Sequence, residues 1–397
     1  MSAKKKKTTP KKGKNVLKKT LPEIIIAVVL ILVIGLYYYS IPPFSFDLGI
    51  GLKYKPREVK PPVKNTEGNL TMTMINVGQG DSVLLELPDG KTMLIDGGKN
   101  GTFEKDSGGE RFGIAQAILD VLAGKDITEL DYVLLTHTDS DHCGSLDDVI
   151  NSDSVLVHTV YMPYVKSGYA DDPLAKGKTK VSESLGKIEP QSISTRYYDA
   201  FVESVVKEGS EIVYSEAGTV IEGEGYRMTF VTPDPSQYSG VKSGDAKAIN
   251  NVSPIILLEY PTVRVMLTGD AAKKGEQVFL DNYVNMGLDV DVDVLKAGHH
   301  GSKESSNSFF LDVIKPEYVV ISAGYGNTYN HPEKETLDRF AAIGAEVHCT
   351  IDCGTITMKA DKNGFGFECE KIKATSCVIV DPFGITARFA LFAGRCA

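Results

Sequence analysis

Hydrophobic positions along the chain fall into distinct regimes. Residues 24–39 run for sixteen positions without a charge or a strong helix breaker. With 21–23 added, the run reaches the roughly 20 residues a bilayer-spanning helix needs. From residue 70 the period changes to two. Segments 70–75, 82–87 and 92–95 alternate and are separated by polar, glycine-containing turns at 78–81 and 88–90, predicting three strands of a meander. Helical spacing at 112–122 and a short apolar strand at 132–135 follow, the latter ending in a cluster of His and Asp.

A second set resembles the first in order. It predicts a helix at 197–207, strands at 219–221, 226–231, 254–259 and 263–268, and a helix at 274–283. Then come a strand at 292–296, a helix at 308–313, a strand at 318–322, a helix at 334–343 and a closing hairpin near 347–358. Two strand-rich halves with helices outside predict an α/β chain folded as an αββα sandwich. The polar stretch 165–194 reads as an insertion.

The flanks set the domain plan. A basic segment, 1–20, precedes the apolar run 21–40; a Pro-rich tether, 41–68, leads to a domain over 69–373; the tail 374–397 has no assigned role. Lysines ahead of an apolar run keep that end in the cytoplasm, so the expectation is a single transmembrane anchor with the domain extracytoplasmic. A cleaved signal peptide and a buried soluble helix are the rivals. The stretch after the run, however, lacks the small-residue pattern of a cleavage site. One span is too little for a channel.

Charge narrows the functions. The formal net charge is −9, and the first 20 residues hold nine lysines and no acid, which leaves −18 on the rest. Such a domain has no broad field for gathering nucleic acid, which excludes a coating role. Nucleic-acid chemistry would need bound metal ions or a local basic patch. Lys296, Ser302 and Lys303 are candidates for that patch, with a helix beginning at 301–302 to receive a phosphate and a steep salt dependence as its signature. Six cysteines are present, none in a CxxC pair. Cys349 or Cys353 with Cys369, on what reads as one hairpin, is a candidate bridge beside the alternative of buried thiols.

The chemistry concentrates after the strand at 132–135. His137, Asp139, Asp141 and His142 offer four metal ligands within six residues. Imidazole and carboxylate suit Zn²⁺, Mn²⁺ or Fe, and the alternation lets His137 and Asp139 serve one ion while Asp141 and His142 serve another. Asp270 and the pair His299-His300 recur at later strand ends. Asp270 is a candidate bridging carboxylate. Read singly, these residues are turn, cap or surface groups.

The run His-x-Asp-x-Asp-His is similar to the His-x-His-x-Asp-His signature of the metallo-β-lactamase superfamily, with Asp139 in place of the second His. Segments 75–82, 94–98, 295–302 and 330–332 look like the extracellular metallo-hydrolase domain of ComEC-type competence proteins, in a stand-alone form, over roughly 70–358. The resemblance implies an αββα fold, one or two divalent metals (Zn²⁺ or Mn²⁺ ahead of Mg²⁺) and hydrolysis of a phosphodiester, with DNA as substrate. Asp96 matches the aspartate that orients the metal loop. His137, Asp139, Asp141, His142, Asp270 and His299 match the ligands, which leaves His300 beside the substrate. Gln79 and Asp81 belong to a rim loop. Many relatives carry a further His between 234 and 253; this chain has Asn250 and Asn251 instead. The implied chemistry has Asp141 orienting the attacking water and His300 or His331 serving the leaving oxygen; His331 read on its own is a helix-entry residue before Pro332. Hydrolysis of a small ester, a lactam or a cell-surface phosphodiester stands as one alternative, and a non-catalytic module of a DNA-uptake assembly as another.

Overall fold

The computed structural model describes residues 68–105, 109–371 and the backbone of 376–377. The expected basic segment, anchor and tether over 1–67 lie outside the described residues, as does most of the tail. No helix among the described residues is long and apolar enough to cross a membrane.

The first half of the domain contributes β1 (Leu70–Met74), β2 (Val83–Glu86), β3 (Thr92–Ile95), β4 (Thr102–Glu104), β5 (Arg111–Gly113), β6 (Glu129–Leu134), β7 (Leu156–Met162) and β8 (Glu211–Tyr214). The second contributes β9 (Val220–Gly223), β10 (Tyr226–Phe230), β11 (Ile256–Tyr260), β12 (Val263–Leu267), β13 (Val294–Lys296), β14 (Tyr318–Ile321) and β15 (Glu346–Cys349). After these come β16 (Ile356–Asp361), β17 (Gly364–Cys369) and β18 (Ser376–Cys377). A nine-stranded sheet runs β18-β17-β16-β1-β2-β3-β6-β7-β8, a seven-stranded sheet runs β15-β14-β13-β12-β11-β10-β9, and β4-β5 form a small ribbon.

Alternation along the strands builds the layers. Leu70, Met72 and Met74 of β1 point between the sheets, where they join Met228 and Phe230 of β10 and Val263, Val265 and Leu267 of β12. On the far side of the first sheet, Ile118, Phe201 and Val205 from helices Ile114–Ala123 and Arg196–Glu208 cover Leu84, Leu94 and Val133. On the far side of the second, Phe279, Phe310 and Phe340 cover Leu257, Met266 and Val319. These rings come from helices Lys273–Met286, Ser308–Ile314 and Lys334–Ala342. The result is the expected αββα order.

Four features differ from the sequence reading. The ribbon β4-β5 and strands β7 and β8 were not anticipated. Residues 347–358 are not a hairpin: β15 pairs in parallel with β14, the chain turns through Thr350–Cys353 and crosses to the other sheet as β16, and the true hairpin is β16-β17. The nine-stranded sheet extends past residue 373 to β18. No helix begins at 301–302; the backbone there is a tight turn with left-handed His299 (φ 47°) and His300 (φ 54°).

Parallel pairing decides where the site forms. β3 pairs in parallel with β6, and β12 with β13 and β13 with β14. Their C-terminal ends therefore face the same way and deliver Asp96, the 136–142 loop, Asp270, the two histidines and Ser322 to one edge of the sandwich.

Candidate metal centre

Asp81, His142, Asp270 and His300 converge on one buried point, with one ligand atom from each within 4.8 Å of the others. His142 is fixed on both nitrogens. Its Nδ1 lies 2.7 Å from Asp96 Oδ2 and its Nε2 lies 3.2 Å from Asp270 Oδ2. Asp96, in a left-handed backbone conformation (φ 59°), also accepts from the Thr136 amide and hydroxyl at 2.8 Å each. It thus locks the strand end to the ring, the outer-shell arrangement that orients a ligating imidazole.

His300 has Nδ1 3.2 Å from Asp81 and Nε2 3.4 Å from both Asp141 and Asp270. His299 Nε2 stands 3.6 Å from Asp270. Both histidines therefore reach the carboxylate, and the one expected beside the substrate is fully buried in the group. His137 is buried, with Nε2 3.8 Å from Asp139 and Nδ1 3.2 Å from the Ser253 hydroxyl. Asn250 bridges His299 Nδ1, at 3.4 Å, and Asp139, toward which its amide nitrogen donates at 3.1 Å when oriented for both partners. Asn251 spends its amide on the Gly275 and Lys247 backbone.

Protonation follows from these contacts. Burial opposes charge on His142, yet Asp270 and Asp96 push its pKa well above the ordinary range. His300, buried likewise, is pushed up to about 10 by Asp270 and Asp81. Asp270 and Asp81 are held low despite burial, the first by His142 and His300, the second by Lys296 and His300. Asp141 also stays low against its burial through the His300 hydrogen bond. Burial, then Asp141, raises Asp139 to about 6. Burial and the neighbouring His142 charge lower His137 to about 3.

The donor set fits a divalent cation. His137 Nε2, His142 Nε2, His300 Nε2, Asp81 Oδ1 and Asp270 Oδ1 are buried and meet only the other imidazoles, carboxylates and Lys296 of this group, a costly concentration of polar atoms unless something completes them. All are nitrogen and oxygen ligands of the kind that Zn²⁺, Mn²⁺ and Fe accept. Protons on His142 and His300 hold the charge that a cation would replace.

The rim is less basic than expected. Lys296 is 2% exposed, contacts Asp81 and donates to the Gly269 carbonyl at 2.9 Å. It is an internal counter-charge and not a phosphate-binding surface group. Lys303 pairs with Glu333 at 3.0 Å, and the Ser302 hydroxyl accepts from the Glu304 amide. The basic patch is therefore not formed. Gln79 ties the rim together, with Oε1 accepting from the Gly324 amide at 3.1 Å and Nε2 3.4 Å from His331 Nδ1. His331 is held by Asn327 and stacks on exposed Tyr329 at 5.6 Å. Thr136, Ser253, Ser322 and the counter-charge role of Lys296 were not anticipated; nothing in their local sequence marks them.

Comparison with known proteins agrees with this geometry. Residues 75–214 match the model of the Metallo-beta-lactamase superfamily. The chain is 27% identical over 300 residues to ComE operon protein 3 of Bacillus subtilis (strain 168), covering 74% of this chain and 33% of that protein. It is 33% identical over 115 residues to Competence protein ComA of Neisseria gonorrhoeae, 29% of this chain and 16% of the relative. It is also 33% identical over 110 residues to Recombination protein 2 of Haemophilus influenzae, 28% and 13% respectively. The match thus spans a third or less of each relative's length. Over residues 75–214 the chain is thus similar to the metallo-beta-lactamase superfamily, and as a whole it resembles ComEC-type competence proteins.

Proposed function

We propose that the domain is a metal-dependent hydrolase and that its substrate is a DNA phosphodiester. The observation that carries the reading is the buried convergence of Asp81, His142, Asp270 and His300, whose inward ligand atoms meet only one another, Asp141 and Lys296. The competence and recombination names of the relatives support DNA as the substrate class. A bound divalent cation supplies a Lewis acid that brings a water's pKa toward neutrality and offsets charge on phosphoryl oxygens.

The chain's own residues do the rest. Asp141, ionised and about a quarter exposed, is placed to orient a water and take its proton. His331, buried at the rim and lowered to about 4 chiefly by that burial, is neutral at pH 7, so it can position a substrate oxygen or relay a proton. Asp81, His142, Asp270 and His300 would hold the cation, with Asp96 fixing His142 and Lys296 beside Asp81 and Asp270. Asn250, between Asp139 and His299, takes the place where many relatives offer a further His and makes the second metal position the weaker one.

We also place the domain outside the cytoplasmic membrane, anchored by residues 21–40. The lysine-rich flank and the apolar run support this.

Substrate class is tested by comparing turnover of single- and double-stranded DNA, a small nitrophenyl phosphodiester and a β-lactam by the metal-loaded chain. Faster turnover of DNA supports the reading. Preference for the small phosphodiester or the β-lactam replaces it with a small-substrate hydrolase.

A further inference from the structure

Away from the central group, three residues of a different chemistry converge. His348 lies on β15 at the edge of the seven-stranded sheet, Cys353 ends the short helix Thr350–Cys353, and Cys369 ends β17 in the nine-stranded sheet. One ligand atom from each lies within 4.8 Å of the others. The crossover that replaced the expected hairpin is what brings them together, since it carries the chain from one sheet to the other between His348 and Cys369.

Their surroundings argue for a ligand. Cys353 is buried in the layer between the sheets, and its thiol faces both Cys369 and His348. The His348 ring is clamped by stacking on Phe367 at 4.7 Å. Its Nε2 is buried with no hydrogen-bond partner. Glu346 Oε1, half-exposed, stands 3.4 Å from that nitrogen but does not join the converging group. Cys369, half-buried, also lines a cavity of about 510 Å³ bounded by Phe112, Gln116, Thr357 and Glu370.

We propose that His348, Cys353 and Cys369 form a second metal site, for a thiophilic divalent cation such as Zn²⁺, that staples the two sheets at their C-terminal edge. Two sulfurs and one imidazole are a soft set with a tetrahedral preference, unlike the oxygen-rich central group. In a tetrahedral site the ligand atoms stand roughly 3.5–3.8 Å apart, so closure on an ion is a shift of about 1 Å. A Cys353–Cys369 disulfide is the competing outcome. It would use the two sulfurs and leave the buried His348 nitrogen with only its long contact to Glu346, whereas a cation engages all three. Binding converts both thiols to thiolates and releases their protons to solvent.

Cobalt distinguishes this site from the central one, which has no sulfur ligand. The full-length chain, purified under reducing conditions and stripped by chelator, is titrated with Co²⁺ and followed by near-ultraviolet absorption. The expected result is a thiolate-to-cobalt charge-transfer band, absent in Cys369→Ser and weakened at least about tenfold in apparent affinity in His348→Gln. Zn²⁺ is expected to displace the cobalt and to protect the two thiols from alkylation. Should Cys353→Ser fail to fold, Cys369→Ser and His348→Gln decide the matter. Cobalt uptake without the band overturns the proposal, as does a band that survives Cys369→Ser. So does a native mass lower by two hydrogens with Cys353 linked to Cys369.

Discussion

Asp141 remains a carboxylate although it is largely buried, because His300 hydrogen-bonds to it and His142 adds positive charge. Asp141→Asn keeps the shape and removes the base. Turnover should fall about 10²–10⁴-fold with an unchanged melting profile; activity within about threefold of the parent would remove Asp141 from the reaction. Asp96 acts through His142. Asp96→Asn should weaken metal affinity about 10–100-fold, read by isothermal titration, with a smaller effect on kcat once metal is saturating.

At this scale the sequence was informative about which residues matter and less so about how each faces. The 137–142 run, Asp270 and the histidine pair were legible because few surface loops hold so many ligands. The inward turn of both His299 and His300 was not, because it depends on left-handed backbone and on Pro332 packed against Gly301, where a Cβ would meet the proline at 2.6 Å. Lys296 looked like a surface cation because its burial is set by partners at positions 81 and 269–270, far away in the chain.

At the scale of elements, the loop 78–81 closes the site through backbone contacts. The Asp81 amide donates to the Asp141 carbonyl at 3.1 Å, and the Gly98 amide donates to the Asp81 carbonyl at 2.7 Å. Gly80 (φ 137°) leaves no room for a side chain, since a Cβ would lie 2.4 Å from that Asp141 carbonyl. Gly80→Ala should therefore destabilise by about 2 kcal/mol or more and displace Asp141. A denaturant midpoint unchanged from the parent would show that the loop yields. Phe230, at the centre of the layer between the sheets, should cost roughly 3–5 kcal/mol as Phe230→Ala in the same assay.

Period-two strands such as β1 and β12 were readable because each buries alternate side chains in a different layer. β7 escaped although Val157, Val160 and Met162 are buried, since exposed Leu156 and His158 interrupt its apolar run. The turn through Thr350–Cys353 was unreadable because sheet membership is decided by pairing and not by local pattern.

Over the whole molecule, electrostatics sets two expectations. With the patch at 296–303 spent on internal partners, few phosphates are neutralised by side chains. The slope of log KM for DNA against log salt should thus be shallow, about 2 or less in magnitude. A slope of about 5 or more would reveal a basic surface that the described residues lack.

The second expectation concerns pH. His300, raised from 6.5 to about 10, stabilises the metal-free fold fully below about pH 6.5 and loses that contribution as pH rises through about 10. The metal-free melting temperature should therefore fall between pH 7 and 10. Metal affinity should move the opposite way, tightening about tenfold per pH unit for each proton displaced. A metal-free melting temperature that rises over this range would contradict the assignment of charge within the centre.

The central claim, metal-dependent hydrolysis at the Asp81, His142, Asp270 and His300 centre, is tested most directly by reconstitution. The full-length chain is stripped by chelator, then resupplied separately with Mn²⁺, Zn²⁺ and Mg²⁺, and cleavage of labelled DNA is followed beside Asp141→Asn under the same conditions. The expected result is cleavage lost on stripping, restored by Mn²⁺ or Zn²⁺, and absent in the variant. Stoichiometric metal binding with no cleavage under any ion, or equal cleavage by Asp141→Asn, would contradict it.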